Sequence, residues 1–201
     1  MKWLRGFAGL VAIIGGLFIL WGFLPSNPFE DPQTNAVRLV CFWSGGAAVV
    51  LSFRGRHAVR QSRVGRIATL AVVFFALWNV LWVLLSLSGD APFGGSFSLA
   101  GFVAGLLGWL AASLYGVALV ANRTSFKGFT LIERGITQLA SSVLVIAGLI
   151  ATFGMDRLGL TRSEPYGEAF GTLGALGAGA VALSWLMMGI VLFVSARRGA
   201  E

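Results

Sequence analysis

The sequence has few charged residues, a single cysteine and a single histidine. Of its 201 residues, 11% are Asp, Glu, Lys or Arg, whereas 57% are hydrophobic. A soluble domain carries about 25% charged residues, so this chain has too little charge to cover a water-soluble body of its size. The composition excludes a cytosolic enzyme and a disordered chain. Together with a mean hydropathy of +0.84, it indicates an integral membrane protein with one domain by length.

The cysteine and histidine counts exclude several kinds of site. Cys41 lies within an apolar run and has no second cysteine with which to form a disulfide in this chain. His57 is the sole histidine and lies in an Arg-rich loop. A His/Cys metal cluster and a bis-histidine haem site are therefore excluded within the chain. We predict no metal, no cofactor and no catalytic residue.

Six apolar runs are long enough to cross a bilayer. A hydrocarbon core of roughly 30 Å needs about 20 apolar residues in a helix. The first run follows Lys2 and Arg5, as in a signal peptide, but no A-x-A cleavage site comes after it, so we expect a retained span. The sequence predicts an all-α protein with six transmembrane helices, over Phe7–Leu24, Ala36–Phe53, Ile67–Leu87, Phe97–Ala121, Ile136–Gly154 and Phe170–Ser195.

The basic residues are distributed unequally between the two sets of segments that flank these runs. Three of the fifteen, Arg38, Arg157 and Arg162, belong to the set that also holds six of the eight acidic residues. Cytoplasmic loops of membrane proteins carry the excess of Lys and Arg. We therefore predict a multi-pass protein of the cell membrane with both termini in the cytoplasm. The twelve residues of the cytoplasmic set are Lys2, Arg5, Arg54, Arg56, Arg60, Arg63, Arg66, Arg123, Lys127, Arg134, Arg197 and Arg198.

With both termini on one side, the chain forms three hairpins that point the same way, over residues 1–56, 57–125 and 126–201. The returning helices end alike, because Gly46, Gly116 and Gly189 are each followed by six or seven mostly apolar residues and then by an arginine. This self-similarity predicts a parallel threefold repeat. An inverted repeat, which many secondary transporters have, is a different arrangement.

The first hairpin carries a family resemblance. Trp3-Leu4-Arg5-Gly6, an apolar span with Gly15-Gly16, and then Leu24-Pro25 resemble the start of HdeD-family membrane proteins. The resemblance implies two-helix repeats, usually three, and a role in acid and stress resistance without assigned catalytic chemistry. Repeats two and three depart from it, since they have Leu87-Ser88-Gly89 and Phe153-Gly154-Met155 where the family has a proline.

The predicted spans hold few polar groups. No ionisable residue lies deep within any span, which argues against proton relays, ion-coupled transport and intramembrane hydrolysis. Arg38, Glu133 and Glu168 are the nearest such residues and lie at span ends, with Glu133 beside Arg134. The remaining candidates for polar interior contacts are Asn79 in span three and Gln138, Ser141 and Ser142 in span five. We expect them to hydrogen-bond between helices, or to contact a polar substrate.

Two further sets of residues point to packing and to lipid. Small residues at four-residue spacing in span four allow another helix backbone to approach closely. We expect packing against span six, or homo-oligomerisation. Arginines in the loop after span two are candidates for contact with anionic lipids, or they set the orientation during insertion; without aromatic platforms, nucleic acid is not an expected partner. The two sets are Gly101, Gly105, Gly108, Ala112 and Gly116, and Arg54, Arg56, Arg60, Arg63 and Arg66.

These observations predict a non-enzymatic membrane protein with a structural, assembly or stress-resistance role. Two alternatives stay open from the sequence. One is a channel or facilitator for a small neutral solute, and the other is an accessory subunit of a larger membrane complex. The expected partners are the lipid bilayer, anionic lipids at the cytoplasmic face, and a second copy or a membrane-complex subunit.

The charge asymmetry gives a direct test of topology. A reporter fused after Glu201 should be active only if it is a reporter that works in the cytoplasm, because the basic segments stay on that side. Activity of a periplasmic reporter at the same position would contradict the hairpin scheme.

Overall fold

Helices make up almost all of the computed structural model, which describes residues 2–21, 32–54, 63–87, 94–121, 129–154 and 166–198. Five of the six predicted apolar runs lie wholly on one helix, the first run lies on α1 as far as Trp21, where the described part ends, and each helix begins a few residues before its run. The extension is expected physically, since the backbone hydrogen bonds of a helix continue through polar flanking residues. The six helices are α1 (Lys2–Trp21), α2 (Pro32–Arg54), α3 (Arg63–Leu87), α4 (Gly94–Ala121), α5 (Leu131–Gly154) and α6 (Tyr166–Arg198).

The helices form a closed ring. Each packs against its neighbours in sequence, and α6 packs against α1 to complete the ring. Neighbours run antiparallel, as shown where α1 meets α6: Gly6 lies beside Ala196, and Gly16 lies beside Ala182. Consequently α1, α3 and α5 begin, and α2, α4 and α6 end, at one end of the ring. We call this the basic end, for the arginines described below.

Large apolar side chains cover the outside of the ring. Along α1 and α3 they recur with alternating spacings of three and four residues, an average of 3.5, which is typical of left-handed helix packing in membrane bundles. The surfaces between helices carry mostly small side chains, such as Ala12, Ala68 and Ala140. The exposed series are Trp3, Phe7, Leu10, Ile14, Leu17 and Trp21 on α1, and Ile67, Leu70, Phe74, Leu77, Leu81 and Leu84 on α3.

Glycines bring the backbones of α1 and α6 together. A Cβ atom at Gly9 would lie 2.6 Å from the carbonyl oxygen of Gly189, and one at Gly189 would lie 2.9 Å from that of Gly9. A Cβ at Gly16 would likewise lie 2.9 Å from the carbonyl oxygen of Ala182. On the other side of α1, a Cβ at Gly45 of α2 would lie 2.9 Å from the Cα of Ala12. The ring therefore closes by backbone contact, which larger side chains would prevent.

Large aromatic side chains fill the interior of the ring. Trp43 and Trp109 have ring centroids 5.0 Å apart, and Phe42 lies 5.7 Å from Trp109. Further towards the basic end, Tyr115 of α4 and Trp185 of α6 face each other at 6.2 Å. All five of these side chains are buried, so they occupy the space that the six helices enclose.

Four helices, α1, α3, α5 and α6, are long and apolar enough to cross a membrane within the described residues. The searched part of α2 and of α4 holds a shorter apolar stretch, Val37–Phe53 and Leu106–Ala121 respectively. The prediction of an all-α chain with six helices is confirmed. The Gly-rich beginning of the last predicted run is also helical, since α6 is continuous from Tyr166.

Two of the small residues of α4, Gly108 and Gly116, do not face α6 as expected. A Cβ at Gly108 would lie 2.9 Å from the indole of Trp43 on α2, and one at Gly116 would lie 2.8 Å from the carbonyl oxygen of Ser141 on α5. The reason is the ring order, which places α5 between α4 and α6. On the side of α6 away from α5, Gly189 brings α6 close to α1.

We expect the Gly9→Ala substitution to destabilise the protein by about 1–3 kcal/mol, the usual cost of overpacking a close contact. Gly135→Ala is the matched control, because a Cβ at Gly135 meets nothing within 4 Å and gains only helix propensity, up to about 1 kcal/mol. Denaturant unfolding in mild detergent measures both. Equal stability of the two variants would show that α1 and α6 do not depend on this contact.

Candidate functional site

The basic end of the ring gathers most of the charged side chains that the structure describes, whereas Arg38 lies near the start of α2 at the other end. Arg5 begins α1, Arg63 and Arg66 begin α3, and Arg197 and Arg198 end α6. The sequence had assigned all of these to one side of the membrane, and the antiparallel ring brings them to one end. The acidic side chain that the described residues contribute here is Glu133, near the start of α5.

Glu133 caps its own helix. Its carboxylate oxygen Oε2 accepts a hydrogen bond from the backbone N–H of Thr130 at 2.9 Å, and its own N–H donates to the Thr130 hydroxyl oxygen at 3.3 Å. This reciprocal pair is a capping box, which satisfies two backbone donors at a helix start. The sequence signal is Thr130-Leu131-Ile132-Glu133, a T-x-x-E pattern that identifies the beginning of α5. Sequence reasoning missed it.

The second oxygen of Glu133 joins two helices. Oε1 forms an ion pair with the guanidinium of Arg198, at the last turn of α6. The Glu133 side chain is 6% exposed and that of Arg198 is 45% exposed, so the carboxylate is buried beneath a half-exposed cation. Both charges also suit their positions, since helix starts favour anions and helix ends favour cations.

Arg134, which follows Glu133 in the sequence, does not bind its carboxylate. The Arg134 side chain instead donates from Nε to the carbonyl oxygen of Phe129 at 3.1 Å. Phe129 is buried, and its ring lies 5.9 Å from that of Phe53 at the end of α2. Both carboxylate oxygens of Glu133 are thus engaged, Oε2 in capping α5 and Oε1 in joining α5 to α6.

An apolar groove of about 450 Å³ opens on the outside of the ring, between the start of α1 and the end of α6. Trp3, Phe7, Leu10 and Phe193 line it, and Arg197 lies at its edge. The Arg197 guanidinium carbon lies 4.5 Å above the Phe193 ring, a cation–π contact worth about 0.5–1 kcal/mol at an exposed site. Among the described residues, no carboxylate pairs with Arg197.

The arginines of the predicted lipid-contact loop are described in part. Arg63 and Arg66 are exposed in the first turn of α3, where a lipid headgroup can reach them. Arg54 is the last residue of α2, and its side chain lies outside the described part. Arg56 and Arg60 lie outside the described residues altogether.

The four residues expected to form a polar interior contact are not brought together. Asn79 donates from Nδ2 to the carbonyl oxygen of Phe75 at 2.7 Å, within α3. Ser141 is buried and donates to the carbonyl of its own helix at Thr137, 2.6 Å away. Gln138 is half-buried and Ser142 is exposed. The ring order explains the separation, because α4 lies between α3 and α5.

Among the described residues, a hydrogen bond within the spans joins α4 and α5 instead. The Ser113 hydroxyl of α4 donates to the carbonyl oxygen of Val145 on α5 at 2.6 Å. Nearby, a Cβ at Gly148 would lie 2.7 Å from the Trp109 carbonyl oxygen, so the two backbones are close enough for this bond. The sequence predicts an interhelical contact at the amide of Asn79 and does not predict one at Ser113, which lies among small residues. The phenol oxygen of the buried Tyr115 has no hydrogen-bond partner among the described residues.

The structure places the small residues of α4 individually. Gly108 and Gly116 lie at the close contacts with α2 and α5 described above, and Ala112 is buried. Gly101 and Gly105 belong to α4, but their surroundings lie outside the described part.

Comparison with protein families, with curated proteins and with solved structures finds no match for this chain. The HdeD-like assignment therefore stays a prediction that rests on the residues of the first hairpin and on the helix ends.

The Glu133–Arg198 pair can be tested with a double-mutant cycle. Glu133→Gln and Arg198→Gln should each lower the free energy of unfolding, with a coupling of about 1–3 kcal/mol, as for hydrogen bonds to charged groups. The matched cycle pairs Glu133→Gln with Arg197→Gln, which should be additive because Arg197 does not contact the carboxylate. Denaturant titration in mild detergent measures both. Additivity in the first cycle would contradict a stabilising pair.

Proposed function

We propose that this chain is a non-enzymatic integral membrane protein with a structural or assembly role in the cell membrane. The observation that carries the proposal is the apolar outer surface of the ring, together with the close contacts that glycine and alanine make between its helices. Large aliphatic and aromatic side chains face outwards, and mostly small ones lie between helices.

The size distribution supports placement in lipid. In water, a helical bundle buries its large apolar side chains, and contiguous exposed apolar patches rarely exceed a few hundred Å². Here Ile67, Leu70, Phe74 and Leu77 are each 59–63% exposed along one face of α3. In a membrane such side chains face lipid tails, and helices associate through small residues instead.

We propose that all six helices span the bilayer. The helices α2 and α4 have 23 and 28 residues, which correspond to lengths of about 34 and 42 Å at 1.5 Å per residue. Both exceed the roughly 30 Å of a hydrocarbon core. Both also pack between helices that are long and apolar enough to cross a membrane, so we place them at the same depth in the bilayer as those neighbours.

The orientation follows from charge. The cytoplasmic side of a membrane protein carries the excess of basic residues, and the described arginines Arg5, Arg63, Arg66, Arg134, Arg197 and Arg198 lie at the basic end. We propose that this end, with both termini, faces the cytoplasm.

The filled interior favours a structural role over solute conduction. Trp43, Trp109, Tyr115 and Trp185 are buried within the ring, and these bulky side chains occupy the space between the helices that a solute path would need. Asn79 donates an amide hydrogen to the Phe75 carbonyl of its own helix, and it is not brought together with the other polar candidates. An assembly or stress-resistance role also agrees with the HdeD-like resemblance of the first hairpin.

The threefold repeat gains support at two of its three positions. Gly116 meets α5, the outgoing helix of the following hairpin, and Gly189 meets α1, which follows α6 by closure of the ring. Gly46 departs from this pattern, since a Cβ there would lie 3.2 Å from the Trp185 indole. We propose a parallel repeat whose first returning helix has been altered to fit a tryptophan.

Membrane extraction and solute flux together test this function. The protein should stay in the membrane pellet after an alkaline carbonate wash, because its surface is apolar. Liposomes that contain it should reswell in a glycerol gradient no faster than empty liposomes, because the interior is filled. The Asn79→Leu variant is the matched control and should behave like the parent protein.

Three results would contradict the proposal. Release of the protein by carbonate would remove it from the integral class. Glycerol flux that scales with protein and is lost in Asn79→Leu would establish the facilitator instead. Stoichiometric co-purification of another membrane protein, without which the chain is degraded, would establish an accessory subunit.

A further inference from the structure

We propose that the groove between α1 and α6 binds an anionic phospholipid, with one acyl chain against the apolar wall and the phosphate at Arg197. The inference rests on the membrane placement proposed above, but not on the structural role. It concerns a site distinct from the loop arginines, since the residues that form it belong to the two helices that close the ring.

The shape of the groove comes from a local change in side-chain size. Gly6 and Ala196 form its floor, and even a Cβ at Gly6 would lie 3.8 Å from the Ala196 Cβ. Large side chains rise on either side, with Phe7 on α1 and Phe193 on α6. The volume of about 450 Å³ lies within the range of ligand sites.

The apolar wall faces lipid rather than the ring interior. Trp3 is 93% exposed, Phe7 is 66% exposed and Leu10 is 43% exposed. They occupy the outward positions of α1 at the basic end, where tryptophan prefers the headgroup level. A chain lying along Phe7 and Leu10 would therefore enter the groove directly from the bilayer, with its headgroup near Trp3.

The charge at the edge selects an anion. Arg198 is neutralised by Glu133, whereas Arg197 has a contact with the Phe193 ring and no carboxylate partner among the described residues. The ring holds the guanidinium beside the groove and leaves its N–H donors available. A guanidinium binds phosphate through paired hydrogen bonds, and an anionic headgroup such as that of phosphatidylglycerol presents its phosphate without a competing cation.

The test uses the full-length protein in mild detergent with phosphatidylglycerol that carries brominated acyl chains, added at about one lipid per protein. Bromine quenches nearby tryptophan, so the lipid should quench the parent protein more than the Trp3→Phe variant. Phosphatidylcholine with the same brominated chains should bind more weakly. Native mass spectrometry reports the retained lipid and the oligomeric state in the same samples.

Two pairs of variants separate this groove from general attraction to a basic surface. Arg197→Gln should weaken phosphatidylglycerol binding by about fivefold or more, which corresponds to about 1 kcal/mol per cation at a membrane surface. Arg63→Gln changes an exposed arginine at the same end on α3, outside the groove, and should leave the Trp3-dependent quenching by phosphatidylglycerol unchanged. Phe7→Ala should weaken binding of both lipids, whereas Phe74→Ala on the outer face of α3 should not.

The proposal is overturned if the two lipids bind equally and Arg197→Gln has no effect. It is also overturned if Arg63→Gln weakens binding as much as Arg197→Gln, since the attraction would then be diffuse. A dimer that is lost in Phe7→Ala would show that a second copy fills the groove. The carbonate and flux results stand independently of these outcomes, so failure here leaves the proposed structural role intact.

Discussion

The contact between α1 and α6 is the constraint on which the rest of the structure depends. The ring is an open sheet of helices until its first and last members meet, and they meet where Gly9 and Gly189 bring backbone against backbone. Lipid tails are as apolar as the helix surfaces, so close packing rather than burial from water drives this association. The aromatic interior is enclosed only when the contact forms, and Trp185 on α6 then lies opposite Tyr115 on α4.

The same helix, α1, divides its small residues between two neighbours. Gly15 contacts α2 and Gly16 contacts α6, and a side chain at either position would strike a backbone. Polar side chains follow an equally local rule, because Thr69, Thr137 and Ser184 each donate to a carbonyl one turn earlier in their own helix. A hydroxyl satisfied in this way avoids the cost of an unpaired polar group in lipid and leaves the helix surface free to pack. The chain therefore builds its interior from backbone contacts and aromatic rings, and it needs few interhelical hydrogen bonds.

The apolar runs and the charges of the sequence predict most of the fold. They do not predict which helices are neighbours in the ring. The six helices follow from hydropathy, because each run is a continuous apolar stretch of about the length that a helix needs to cross a bilayer. The sequence does not predict which helix packs against each face. A small residue such as Gly108 or Gly116 allows close approach of any helix, and the order of helices in the ring determines which one it contacts. Asn79 on α3 was expected to contact polar residues of α5. It does not, because α4 lies between these two helices. The Glu133–Arg198 pair joins residues 65 positions apart, which no local pattern reveals, although the capping box at Thr130 was readable.

Two adjacent arginines at the end of α6 show how the fold assigns different tasks to identical side chains. Successive residues of a helix point about 100° apart. Arg198 consequently faces α5, where Glu133 fixes it, and Arg197 lies over Phe193 at the edge of the groove beside α1. The Arg198 cation forms an ion pair within the protein, whereas the Arg197 cation is available to a partner outside it. Charge counting treats the two alike, as it must for orientation in the membrane, whereas the closure of the ring decides which of them is available to bind an anion.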